Sequence, residues 1–193
     1  MKLYFVRHGQ SEANYKKIHA GCMDVPLTGQ GKADAESAGN LLCGVKFEKV
    51  YTSDLIRAIQ TADIALPNYE KQRVPLLREI SLGELEGRTP ADCLEQYGEN
   101  YLLQKSRRNF GDFGGEDYDM HVKRVREFLE MVAGEEDTNV AVFCHEGTIK
   151  CVLDIVLQVG HWISIKNIAC NNGSISIFEY KDKHWRLCQW NLT

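Results

Sequence analysis

Two short segments carry residues that could do chemistry, and they end alike: Val6-Arg7-His8-Gly9 and Phe143-Cys144-His145-Glu146-Gly147. An imidazole with an unprotonated nitrogen can act as a nucleophile. An arginine beside it offers a planar fork of donors that matches phosphate oxygens. Histidine has a reference pKa of about 6.5, and a neighbouring guanidinium disfavours the imidazolium. His8 is therefore a candidate nucleophile for a phosphoryl group, and Arg7 a candidate grip on that group. Arg57 is a second candidate cation; it lies near the start of an expected helix, where free backbone N–H groups favour an anion. His145 could donate a hydrogen bond to the transferring group and stabilise its charge. Phosphoryl transfer also needs a proton for the leaving oxygen. The loop 78–87 holds three carboxylates, Glu79, Glu84 and Glu86. Nothing local chooses among them.

These groups need a scaffold, and the apolar pattern implies one. Residues 3–6 and 139–144 are apolar, β-branched or aromatic enough to be buried strands. Gly9 lets the chain turn and approach a ligand closely. Thr28 looks like the cap of a helix over 29–43. A short strand over 49–52 leads into a second helix, capped by Ser53 or Asp54 and closed by Pro67. Its apolar stripe is Leu55, Ala58, Ile59, Ala62, Ala65 and Leu66, and Arg57 lies off that stripe. A third strand over 73–77 is weakened by Pro75. Thr89-Pro90-Ala91-Asp92 opens a helix to about residue 103, and further helices are expected over 116–132 and 148–157. Segments 174–180 and 184–190 read as a hairpin.

Strands alternating with helices imply a mostly parallel sheet covered on both faces, with an antiparallel edge. The expected fold is thus a three-layer α/β/α sandwich over one domain, 1–193. Ligands bind at the carboxyl edge of such sheets. If the two buried strands are neighbours, His8 and His145 converge there. The loop with His19 and Gly21 could reach a substrate, as could residues 107–113 and Trp162.

Composition narrows the partners. A formal net charge of −4 provides no basic excess for nucleic acid. No apolar run approaches the ~20 residues of a membrane span, and the N-terminus shows no leader pattern. Seven scattered cysteines without a C-x-x-C pair fit reduced thiols in a cytoplasmic protein. His19, His121, His161 and His184 have no metal-binding spacing and are expected at the surface. The outer edge of the hairpin could pair with a second subunit, making a homodimer.

Arg7-His8-Gly9-Gln10 resembles the signature of the histidine phosphatase superfamily, in its phosphoglycerate mutase-like branch. The resemblance extends to Ser11 and Asn14, Pro26-Leu27-Thr28 with Gly31, and Thr52-Ser53-Asp54-Leu55-Ile56-Arg57-Ala58 with Thr61-Ala62. It continues through Leu77-Arg78-Glu79 with Gly83 and Glu86-Gly87, Gly114-Gly115-Glu116, and His145-Glu146-Gly147. The resemblance implies a phosphoglycerate mutase-like fold and a phosphohistidine intermediate on His8. Arg7, Arg57 and His145 would form the phosphate pocket, with Asn14 contributing from the loop. Glu79 matches the family's proton donor, and desolvation should raise its pKa. The arginines would supply the charge that a metal supplies elsewhere, so no metal or other cofactor is implied.

The expected activity is that of a metal-independent phosphomonoesterase on a small phosphorylated metabolite. A mutase is the alternative within enzymes; the region after Glu79 looks short of the insertions that glycolytic mutases of this family use. An inactive phosphate-sensing or protein-binding module is the alternative outside them. Two positions depart from the family pattern. Gln10 stands where glutamate is common. Glu146 stands where a small or neutral residue is usual; it could contact or repel substrate, and capping the following helix is its favoured role here.

Overall fold

The apolar runs assemble as a six-stranded sheet in the computed structural model, which describes residues 1–133 and 138–193. Its strands are β1 (Lys2–Arg7), β2 (Lys49–Thr52), β3 (Gln72–Arg73), β4 (Asn139–Cys144), β5 (Ile175–Lys181) and β6 (His184–Leu192). The order across the sheet is β3-β2-β4-β1-β5-β6. Pairings from β3 to β1 are parallel; β5 and β6 form the antiparallel edge. β1 and β4 are direct neighbours, with Arg7 opposite Cys144. The residues that follow, His8 and His145, therefore leave the sheet side by side.

Helices cover both faces. Leu3, Phe5, Val140, Val142 and Phe178 pack under α5 (Tyr118–Val132) and α6 (Glu146–Leu157), against Val125, Phe128, Leu129, Ile149 and Val152. On the other face Val6, Val50, Ala141, Phe143 and Ile175 meet Ala38, Ala62 and Ala65 of α2 (Gly29–Leu41) and α3 (Ile56–Ala65). Residues 3, 5 and 6 thus serve both cores, which explains an unbroken apolar run where a half-exposed strand would alternate. A third, smaller cluster joins Ile80, Leu82 and Leu85 to Cys93 and Tyr101 of α4 (Pro90–Arg107) and to Phe110 and Phe113. Among the described residues no helix is long and apolar enough to cross a membrane.

Several local expectations change. α3 starts at Ile56 with Leu55 as its N-cap, and no side chain caps it. The two proposed caps have other partners: Asp54 takes the Arg78 guanidinium at 2.7 and 2.6 Å, and Ser53 faces His145. The loop after β1 contains a short helix, α1 (Glu12–Lys16), closed by a capping box between Ser11 and Asn14. β3 is only two residues long, because Pro75, which has no N–H for a ladder, begins a 3₁₀ turn over Pro75–Leu77. α4 runs on to Arg107 through a break at Gly98. One further turn of helix, α7 (Trp162–Ile165), lies before the hairpin.

Gly9 is required by a close approach of backbones. A Cβ there would stand 2.1 Å from the Gly31 carbonyl oxygen. The neighbour is main chain and cannot swing away, so Gly9→Ala is expected to destabilise by about 1–3 kcal/mol or more, the usual range for overpacking. A urea midpoint unchanged from wild type would contradict this.

Candidate active site

His8 is buried at the end of β1, its N–H donating to the Cys144 carbonyl at 3.0 Å. Its Nδ1 lies 2.7 Å from the Gly9 carbonyl oxygen. A carbonyl can only accept, so Nδ1 carries the proton and Nε2 presents a lone pair. Burial, then Arg57 and Arg7, hold this imidazole well below its ordinary pKa, against the opposing pull of the Gly9 carbonyl and Glu79. Burial and the two guanidiniums favour the neutral imidazole, and the Gly9 carbonyl leaves Nε2 as its unprotonated nitrogen.

His145 is the N-cap residue of α6 and fully buried. Its ring centroid lies 5.2 Å from that of His8. Nε2 pairs with Ser53 Oγ at 2.9 Å, while Nδ1 has no partner. Burial, Arg57 and His8 depress its pKa as well.

Arg57 is 1% exposed in the first turn of α3. It donates from Nη1 to the Met23 carbonyl at 2.7 Å and from Nη2 to the Gly21 carbonyl at 2.8 Å. Gly21 therefore serves as an anchor for Arg57 as well as a cleft wall. Its φ of +47° and the Glu86 carboxylate, 2.2 Å from where a Cβ would stand, leave no room for another residue. Arg7 donates to the Cys170 carbonyl and faces the Glu146 carboxylate at 3.2 Å. Asn14 Oδ1 accepts from the Ser11 N–H and hydroxyl, both at 3.0 Å, and the Asn14 side chain lines the cleft. Gln10 accepts from Thr28 Oγ1 at 2.8 Å, tying the loop to the cap of α2.

Arg7, His8, Asn14, Gly21, Arg57, Glu79 and Glu146 share one cleft of about 610 Å³, and His145 lies beneath it. Buried polar atoms are nearly always hydrogen-bonded. Here Arg7 Nε, Arg57 Nε and His145 Nδ1 are buried without partners. Among the described residues, unpartnered nitrogens thus lie on three elements at one sheet edge, a grouping of donors that suits an acceptor-rich anion.

The structure separates the three acids of the 78–87 loop. Glu84 is exposed and accepts from Tyr97 Oη at 3.1 Å. Glu86 braces the loop through the Cys22 and Leu82 N–H groups. Glu79 alone of the three lines the cleft. Its expected raised pKa is not found. Burial pushes it up, but Arg108, His121 and two backbone N–H groups outweigh burial and leave it at about 2. Oε1 accepts from Arg108 Nη2 and the Ile80 N–H, both at 2.9 Å, and Oε2 from the Gly147 N–H at 3.0 Å.

Glu146 stands in the first turn of α6, where a carboxylate suits the helix dipole. It opens α6 with no side-chain capping bond and instead lies between Arg7 and Lys150. One histidine expected at the surface is elsewhere, His121, fully buried against Thr148 at 3.2 Å; His19 is half-buried, lines the cleft and pairs with Tyr101 Oη at 2.8 Å. Arg108, His121 and Ser53 were not singled out as site residues. Arg108 reaches Glu79 from the end of α4 and stacks on Trp162, 4.1 Å from the ring centroid. The basic, aromatic segment 107–113 was the only sequence signal for it.

A parallel sheet that delivers two facing imidazoles into a nest of guanidiniums defines the class of α/β protein involved. The chain belongs to the histidine phosphatase superfamily (branch 1), whose pattern matches residues 3–193. It is 36% identical over 160 residues to a 2,3-bisphosphoglycerate-dependent phosphoglycerate mutase of Gloeobacter violaceus, covering 78% of this chain and 73% of that one. It is 30% identical over 187 residues to a broad-specificity phosphatase of Saccharomyces cerevisiae, covering 93% and 80%. The crystal structure of a putative alpha-ribazole-5'-P phosphatase from Escherichia coli superposes with a TM-score of 0.88 at 26% identity, covering 99% of this chain and 96% of that one. Against the yeast phosphoglycerate mutases that it matches, the chain spans about half their length.

Proposed function

We propose that this protein is a phosphomonoesterase that hydrolyses a small phosphorylated metabolite through a phosphohistidine on His8. The observation that carries the proposal is the fixed tautomer of His8, with its unprotonated Nε2 beside Arg7 and Arg57. The phosphoryl oxygens take the place opposite Arg7 Nε, Arg57 Nε and His145 Nδ1, and the amide nitrogen of Asn14 adds a donor. Ser53 Oγ accepts from the Leu55 N–H and can donate its hydroxyl to His145 Nε2, and Nδ1 then carries the N–H offered to the phosphoryl group.

Nε2 then attacks phosphorus and the ester P–O bond breaks. The leaving oxygen takes a proton from Glu79. Water next attacks phosphorus, the P–N bond breaks, Glu79 takes the proton from that water, and inorganic phosphate departs. The charges in the cleft give Glu79 its proton. In the free cleft Arg108 and the N–H groups of Ile80 and Gly147 keep it ionised. A phosphoryl group brings like charge beside the carboxylate and neutralises the guanidiniums, and both effects raise its pKa. Phosphomonoesters titrate near pH 6, so the monoanion can deliver that proton with the substrate.

The relatives support both hydrolysis and mutase chemistry, and one pair of assays separates them. Purified protein in the presence of a chelator is expected to hydrolyse p-nitrophenyl phosphate and alkyl phosphates. Conversion of 3- to 2-phosphoglycerate that depends on bisphosphoglycerate, without release of phosphate, would assign the mutase instead. Retention of a phosphorylated ligand with neither activity would assign a binding module.

A further inference from the structure

Glu146 has no part in the steps above, yet it lines the same cleft. It follows His145 directly and turns its Oε2 toward Arg7 Nη1, 3.2 Å away. Its Oε1 accepts from Lys150 Nζ at 2.7 Å, one helical turn on. Lys150 is only 2% exposed, gives a further bond to the Lys166 carbonyl at 2.8 Å, and sits 5.4 Å from the Trp162 ring centroid. Lysine is almost never buried so completely unless paired, and removing the partner of such a buried charge is costly. The row Lys150–Glu146–Arg7 thus ties α6 to the end of β1 through a buried lysine, with the Glu146 side chain 37% exposed where it meets the cleft.

We propose that Glu146 tunes anion affinity at this site: a fixed carboxylate that shares Arg7 with the phosphoryl group, loosens the hold on bound anions and hastens departure of inorganic phosphate. The proposal rests on the reading of the cleft as a phosphoryl site. A bound phosphate on Arg7 has this carboxylate as a close neighbour of like charge. For two charges about 4 Å apart at a partly exposed site, one like charge changes affinity by roughly tenfold. Lys150 keeps Glu146 in place while that repulsion acts.

Inorganic phosphate itself is the probe. Its dissociation constant is measured by titration calorimetry and its inhibition constant against a phosphomonoester, in wild type, Glu146→Gln and the double variant Glu146→Gln/Lys150→Met. The single variant keeps the shape of the side chain. The double variant removes both charges together, so no buried ammonium is left alone. Each is expected to bind phosphate roughly tenfold more tightly or better, with KM falling alongside the inhibition constant. A purely structural role would lower the melting temperature and leave the phosphate constants where they were. Phosphate affinity within twofold of wild type, or weaker, in either folded variant overturns the proposal. Tightened phosphate binding without hydrolysis of any ester would leave Glu146 in this role and remove the phosphatase reading. Absence of phosphate binding in wild type and in both variants would overturn both.

Discussion

Alanine at position 8 is expected to reduce phosphomonoester hydrolysis by at least roughly a thousandfold, a loss typical of removing a covalent nucleophile. The effect is expected in kcat. The donors proposed to hold the phosphoryl group, Arg7, Arg57 and His145, come from β1, α3 and the start of α6 and do not depend on the His8 ring for their placement. The variant should therefore still bind inorganic phosphate, within about tenfold of wild type. Retention of more than about a tenth of the activity would mean that another group, or water alone, attacks phosphorus. The pH dependence has a definite sign. Burial and two guanidiniums lower the pKa of His8, so its neutral form persists to more acid pH than an ordinary imidazole would allow. The His8 limb of the rate profile belongs on the acid side of the reference value of about 6.5.

Glu79→Gln is the second large effect. Glutamine keeps the oxygen that accepts from Arg108 and the Ile80 N–H and loses only the acceptor for the Gly147 N–H, so the variant should fold, but it cannot move a proton. Losing a general acid typically costs about 10²–10⁴ in rate. That loss should be large for an alkyl phosphate, whose leaving oxygen needs the proton, and small for p-nitrophenyl phosphate, whose leaving group departs as the anion. Equal losses on the two esters would remove Glu79 from this role. Because Glu79 sits at about 2 in the free cleft, the profile of kcat/KM, which reports free enzyme, should show no Glu79 titration near neutrality. The profile of kcat, which reports the bound complex, should show one, since the phosphoryl charge raises this pKa.

The layers of the fold and the heart of the site could be read from residue types alone, since both follow local rules. Runs such as Leu3 to Val6, apolar on consecutive residues, belong to strands buried on both faces, and Gly9 marks the turn where His8 emerges. The adjacency of β1 and β4 is a long-range pairing; matched strand ends suggested it, and the register establishes it. Arg57 was placed in the first turn of its helix, but its near-complete burial was not legible. The carbonyls of Gly21 and Met23, far along the chain, receive it. Glu79 could not be told from Glu84 and Glu86 within one loop. The separation comes from what each carboxylate meets in space.

Arg108 and His121 escaped for the same reason. Each bears on Glu79 across more than 25 positions of sequence, and the segment carrying Arg108 reads as an exposed basic loop. The depressed pKa of Glu79 follows chiefly from Arg108, with the N–H groups of Ile80 and Gly147 adding to it. Desolvation, the one effect the sequence suggested, was real but the weaker side of the balance. α1 was missed because Asn14 fills the closing place of the capping box, where glutamate or glutamine is the usual signal.

The most direct measurement is to catch the phosphoryl group on the protein. Enzyme mixed with a ³²P-labelled phosphomonoester is quenched during turnover and digested, and the labelled peptide is sequenced. The label is expected on the peptide containing His8, stable to base and labile to acid, and absent from His8→Ala. Label on a carboxylate, a thiol or a hydroxyl, or rapid turnover with no label on His8, would contradict the phosphohistidine mechanism.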